Sequence, residues 1–122
     1  MATKINRASN EAVARVKGIH ISPRKLNLVA QLIRGKSAYE AMDNLAFCRK
    51  KAAKEVMNLL RSAIANAETN HGLNTDSLVV AEAWVGQQMI LKRFMARARG
   101  RGNRILKPYS NMTIILREVE VA

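Results

Sequence analysis

Apolar positions along this chain follow two periods, and the changes between them mark its elements. Val13, Ala14, Val16, Ile19 and Ile21 interleave with Arg15, Lys17 and His20, an imperfect alternation with Gly18 placed as a bulge. This predicts a strand over Ala12 to Ile21. Ser22-Pro23 then supplies a side-chain oxygen for free N–H groups and a residue that needs no donor, the signature of a helix start. Leu26, Val29 and Ile33 lie on one helical stripe, Leu28 and Leu32 widen it, and Gly35 is placed to end it, so helix one is expected from Pro23 to Arg34.

Ser37-Ala38-Tyr39-Glu40 has capping-box spacing, in which Ser37 caps the Glu40 amide and Glu40 reaches back. Ala38, Ala41, Met42 and Leu45 continue it as a short second helix. The clearest periodicity belongs to Ala53, Val56, Met57, Leu60, Ala63, Ile64 and Ala67, which share one face of a third helix expected from about Arg49 to His71, with Gly72 as its stop. Two strands follow, Leu78 to Val85 and Met112 to Val119, and invite antiparallel pairing. Trp84, on the first of these, is expected in the core.

The segment between those strands, Gly86 to Asn111, carries Lys92, Arg93, Arg97, Arg99, Arg101, Arg104 and Lys107 and no acid. A structureless loop of that length inside a compact domain is rare, so the segment is either disordered or a long hairpin continuing the strands outward. A further ten residues on each strand would add ~33 Å at 3.3 Å per residue, beyond a body whose radius of gyration is ~14 Å. Folding such an arm back would bury its cations. An isolated two-stranded ribbon is marginal in water, so an external polyanion is the expected ordering partner. The fold expected is α+β: three helices packed on a small antiparallel sheet, with a long protruding β-hairpin. Residues 1–11, polar and aperiodic, are expected as a flexible N-terminal tail, residues 12–122 as one domain, and residues about 86–109 as the extended basic arm.

Charge sharpens this picture. Among 122 residues, 21 Lys and Arg face 9 Asp and Glu, a formal net charge of +12. The length suits one domain, and 48% hydrophobic residues suffice for a core, so the cations must occupy the surface and draw polyanions. The longest apolar runs, such as Leu78 to Ala81, are far short of the roughly 20 residues that cross a bilayer, and no apolar run follows the charges near Met1 as in a secretory signal. No membrane partner and a cytoplasmic location are expected.

Candidate chemistry is sparse. Cys48 has no histidine near it in sequence and reads as a small buried apolar residue. His20 and His71 read as ordinary strand-end and helix-end residues, and no Cys/His cluster has metal-ligand spacing. Asn111-Met112-Thr113 matches a glycosylation sequon by coincidence. No phosphate loop, nucleophile elbow or paired carboxylate site occurs, so no catalytic residue, metal or cofactor is expected. Tyr39, Phe47, Trp84, Phe94 and Tyr109 are too few for a platform that reads single-stranded bases. What remains is phosphate-directed binding to structured nucleic acid. In Arg99-Gly100-Arg101-Gly102 the glycines are expected where the arm bends.

Ser22 to Ile33 followed by Arg34-Gly35-Lys36, then Lys50-Lys51-Ala52-Ala53, then Ser62 to Glu68, and lastly Lys92-Arg93 through Arg97-Ala98-Arg99-Gly100-Arg101 to Arg104-Ile105-Leu106-Lys107, resemble the bacterial large-subunit ribosomal protein twenty-two family. The resemblance spans roughly Val16 to Leu116. It implies a structural, non-catalytic protein that binds several domains of large-subunit rRNA early and assists assembly, beside neighbouring large-subunit ribosomal proteins. With the charge pattern, it assigns rRNA contact to Arg15, Lys17, Arg24, Lys25, Arg34, Lys36, Lys50, Lys51, Lys92, Arg93, Arg97, Arg99, Arg101, Arg104 and Lys107. It further implies a hairpin tip, Leu91, Lys92, Arg93, Ala96, Arg97, Ala98, Arg99, Gly100, Arg101 and Gly102, that lines the exit tunnel and meets the nascent peptide. Members commonly carry an acidic residue and Gly-Pro where this chain has Gln87-Gln88-Met89, and Met-Pro-Arg where it has Met95-Ala96-Arg97.

Two other classes compete. An architectural DNA-binding protein also uses basic β-arms, with apolar wedges that Met89, Ile90, Leu91, Phe94 and Met95 could supply. An enzyme or catalytic RNA chaperone would need a general base or nucleophile, and no constellation offers one.

Overall fold

A computed structural model of the chain describes residues 10–119. The expectation for the tail falls mostly on residues outside that range. Strand β1, Glu11–Ile19, begins one residue before the sequence pattern places it, and the Arg117 guanidinium bonds the Glu11 carboxylate at 2.5 Å. Helices α1 (Pro23–Ile33), α2 (Ala38–Ala46) and α3 (Ala52–His71) follow, then strands β2 (Leu78–Ala96) and β3 (Gly102–Glu118). The sheet is antiparallel in the order β1-β3-β2. This is the expected α+β plan, and the ambiguous basic segment resolves as a continuous β2/β3 hairpin.

The caps behave as their chemistry requires. The Ser22 hydroxyl accepts from the Lys25 amide at 3.3 Å, and the Ser37 hydroxyl accepts from the Glu40 amide at 3.3 Å. The reciprocal half of the capping box is replaced: Glu40 pairs with Lys36 at 3.5 Å, one turn back. Gly72 ends α3 with φ 62°, a left-handed conformation that costs glycine little. The start of α3 differs from expectation, because Arg49, Lys50 and Lys51 remain outside the helix. No side chain caps it there, and cations oppose the positive end of a helix dipole.

The core lies between the helices and one sheet face. Leu26, Val29 and Ile33 from α1, Leu45 from α2 and Val56, Leu60 and Ala63 from α3 pack with Ala12, Val80, Ala83, Met112, Ile114 and Leu116. Leu28 and Leu32 do not widen the buried stripe of α1: they are 46% and 41% exposed, since the sheet and α3 cover a narrower arc than the apolar residues span. Cys48 is only partly buried against this core.

Trp84 is 51% exposed, against expectation, and a bulge is the reason. Leu78 and Val80 face the helices, but the register with β3 slips between Val80 and Glu82. That extra residue reverses the alternation, so Ala83 turns inward and Trp84 outward. A second slip, between Gln87 and Met89, lies at the root of the arm, and a third, between Val16 and Ile19, confirms the bulge expected at Gly18. The last two are joined. Gly18, with φ 77°, donates its N–H to Gln88 Oε1 at 2.5 Å, although β3 lies between the two strands in the sheet. Gln88, one of the departures from the family pattern, thus pins the inbound strand of the arm to the end of β1.

Ser110 secures the other strand. It is fully buried, and its hydroxyl donates to the Ile21 carbonyl at 2.5 Å. Ser110→Ala leaves that carbonyl without its donor, and urea unfolding is expected to show a loss of about 1–3 kcal/mol.

Candidate nucleic-acid interface

Past Gly86↔Asn111 the two strands run paired to Ala96↔Gly102, a ladder of ~33 Å at 3.3 Å per residue. Cross-strand partners share a face, so Lys92, Leu106, Phe94 and Arg104 lie on one side of the ribbon and Leu91, Lys107, Arg93 and Ile105 on the other. Both faces are therefore basic. An RNA cleft that surrounds the ribbon would meet cations on either side.

The tip is a tight loop. The Arg97 N–H donates to the Arg101 carbonyl at 2.6 Å, and Arg99 and Gly100 both take left-handed conformations, φ 63° and 68°. Gly100 does this freely, whereas Arg99 holds it at a cost that other residue types would also bear. The bend expected at the glycines is thus centred on Arg99-Gly100. Gly102 has a different role: a Cβ there would fall 1.7 Å from the Phe94 ring, which lies across it. Phe94 is therefore packed along its own partner strand, the arrangement in which an aromatic compensates a strand glycine. Gly102→Val is expected to expel the ring and speed amide exchange over residues 92–106, while the thermal midpoint of the body moves by no more than about 2 °C.

At the root of the arm the body contributes its own cations. Lys25 of α1, Lys50 and Lys51 before α3, and Lys107 of the arm line one cleft of about 650 Å³, with Leu28 and Leu106 as apolar walls and His20 at its edge. His20 stacks on Tyr109, their ring centroids 4.7 Å apart and their planes within 10°. The uncapped N-terminus of α3 lies beside Lys51, so its dipole adds to the positive potential. Cations and a helix N-terminus repel one another until an anion lies between them. Among the described residues no carboxylate lines this cleft.

The remaining assigned residues are dispersed. Arg24 is exposed on α1 and Arg15 and Lys17 line a separate groove on the sheet. Arg34 is committed to the body: its Nε donates to the Ala83 carbonyl at 2.9 Å and its Nη2 to Asn27 Oδ1 at 2.7 Å. Lys36 carries the ion pair with Glu40. Sequence reasoning missed the roles of His20, Tyr109 and Gln88 here. A partial signal existed for Gln88, whose position departs from the family pattern, but none for the His20–Tyr109 stack, which depends on register between distant strands.

Among the described residues no group of three or more His, Cys, Asp or Glu could hold a metal ion, and no helix is long and apolar enough to cross a membrane.

A protein of Maricaulis maris called "Large ribosomal subunit protein uL22" is 61% identical over 115 residues, covering 94% of this chain and 91% of the relative. Relatives of the same name from Methylobacterium sp. strain 4-46 and Methylocella silvestris are 61% and 58% identical, covering 90% and 93% of this chain and 87% and 88% of their own lengths. The model of the family described as "Ribosomal protein L22p/L17e" matches residues 14–117, which contain most of β1, all three helices, β2 and all but the last residue of β3, and the chain belongs to that family.

Proposed function

We propose that this chain is a structural component of the large ribosomal subunit, cytoplasmic with it, and that it binds large-subunit rRNA through the arm and the lysine cleft at its root. The observation that carries the reading is the ladder from Gly86 to Gly102: a ribbon without a core of its own, cationic on both faces, joined to a body cleft with no carboxylate. A folded RNA supplies phosphates on both sides of such a ribbon, while a single duplex groove meets one side of it. Early binding to several rRNA domains would assist assembly, since one arm with cations on both faces can hold separate RNA segments together.

The tip at Arg97 to Arg101 extends farthest from the body, and the family resemblance implies that it lines the nascent-peptide exit tunnel. Neighbouring ribosomal proteins would meet exposed parts of the body such as Leu32 and Phe47.

Sucrose-gradient sedimentation of a lysate tests the reading. Co-migration with large subunits after a high-salt wash is the expected result. Recovery with the nucleoid would support architectural DNA binding instead.

A further inference from the structure

Helices cover one face of the sheet and leave the other open. On that open face Arg15, Thr113 and Trp84 stand in one row across β1, β3 and β2, in direct register. The next position along is Gly86 opposite Asn111. A Cβ on Gly86 would come within 2.6 Å of Asn111 Oδ1, so the Asn111 amide occupies the space that a side chain at Gly86 would take. Lys17 joins these residues around a groove of about 410 Å³.

The bulge in β2 turns a large indole to solvent beside two cations and an amide. Each part of that arrangement has a use for one ligand chemistry. An indole face stacks on any nucleobase, an amide both donates to and accepts from a base edge, and Arg and Lys meet the flanking phosphates. Trp84 alone would equally suit an apolar protein surface. The adjoining Arg15 and Lys17, on a chain of net charge +12, favour a polyanion.

We propose that this face holds an unpaired nucleotide of RNA, its base stacked on Trp84 and its flanking phosphates on Arg15 and Lys17. The proposal rests on the rRNA-binding reading and adds to it a base-contacting subsite on the face away from the helices. One exposed indole is not the multi-base platform that five aromatics are too few to build, but it suffices for one base.

Trp84 is the sole tryptophan, so its emission reports the site directly. The protein is titrated with a labelled single-stranded oligoribonucleotide of mixed sequence, with its duplex form and with heparin. Binding is followed by anisotropy for the RNAs and by competition for heparin, and stacking by tryptophan emission. The single strand is expected to quench most of the Trp84 emission as it binds, whereas the duplex and heparin bind with little quenching. Trp84→Leu should weaken the single strand roughly tenfold and leave heparin unchanged, with Trp84→Phe between the two. Saturable binding of the single strand with unaltered emission overturns the subsite and leaves the rRNA-binding reading standing. Absence of RNA binding overturns both.

Discussion

Deleting residues 92–106 and joining Leu91 to Lys107 through Asn-Gly is expected to leave a folded body that has lost most of its affinity for rRNA. The register makes this the clean cut, because Leu91 pairs with Lys107 and an Asn-Gly turn accepts the positive φ values that a two-residue hairpin loop needs. The deletion removes Lys92, Arg93, Arg97, Arg99, Arg101 and Arg104 but no member of the core. The thermal midpoint should stay within a few degrees of the parent. Affinity at about 0.15 M salt should fall by roughly two to four orders of magnitude if each lost cation meets a phosphate. A body that unfolds would show that the arm supports the core. Unchanged affinity would assign binding to the cleft and the sheet.

The second large effect is on salt dependence. Log affinity for an rRNA fragment should fall linearly with log salt, by ~0.7–0.9 per phosphate neutralised. Replacing Arg97, Arg99 and Arg101 together by Ala should flatten that slope by about two to three, and replacing Lys25, Lys50 and Lys51 should do the same independently. One triplet lies at the tip of the arm and the other on the body at its root, with no shared partner, so their effects should add. A slope that ignores the first triplet and responds to the second would place the tip away from phosphate. That outcome would suit a tip facing the tunnel, with RNA held lower on the arm.

Much of the fold is legible in the sequence because its strongest signals are local. The stripe from Ala53 to Ala67 can only be a helix face, and Ser22, Ser37 and Gly72 act within a few residues of themselves. The failures have one cause in common, which is that burial depends on partners distant in the chain. Trp84 follows Leu78 and Val80 in alternation, so sequence places it inside. Only the slip against β3 turns it out. Leu28 and Leu32 satisfy the helical period, yet the neighbours present leave them uncovered.

The candidate interface was legible to a lesser degree. A segment without acids announces a cationic arm whatever its geometry. Which body cations adjoin it does not follow from sequence: Lys25, Lys50 and Lys51 meet Lys107 of the arm in one cleft, whereas Arg34 also bonds Ala83 and Asn27 and Lys36 also pairs with Glu40. The Gln88 clamp on Gly18 joins residues 70 positions apart through a bulge on each strand, which no local pattern announces.

Membership of a ribosomal protein family sets the chain among structural components rather than enzymes. The central claim is narrower, namely that the arm itself lies within folded rRNA. A photo-crosslinking amino acid at Ile105, on one face of the ribbon, and another at Leu106, on the other, tests it in isolated large subunits. Crosslinks to large-subunit rRNA are expected from both positions, at separate segments of the RNA. Crosslinks to protein alone, or none from either face, would contradict it.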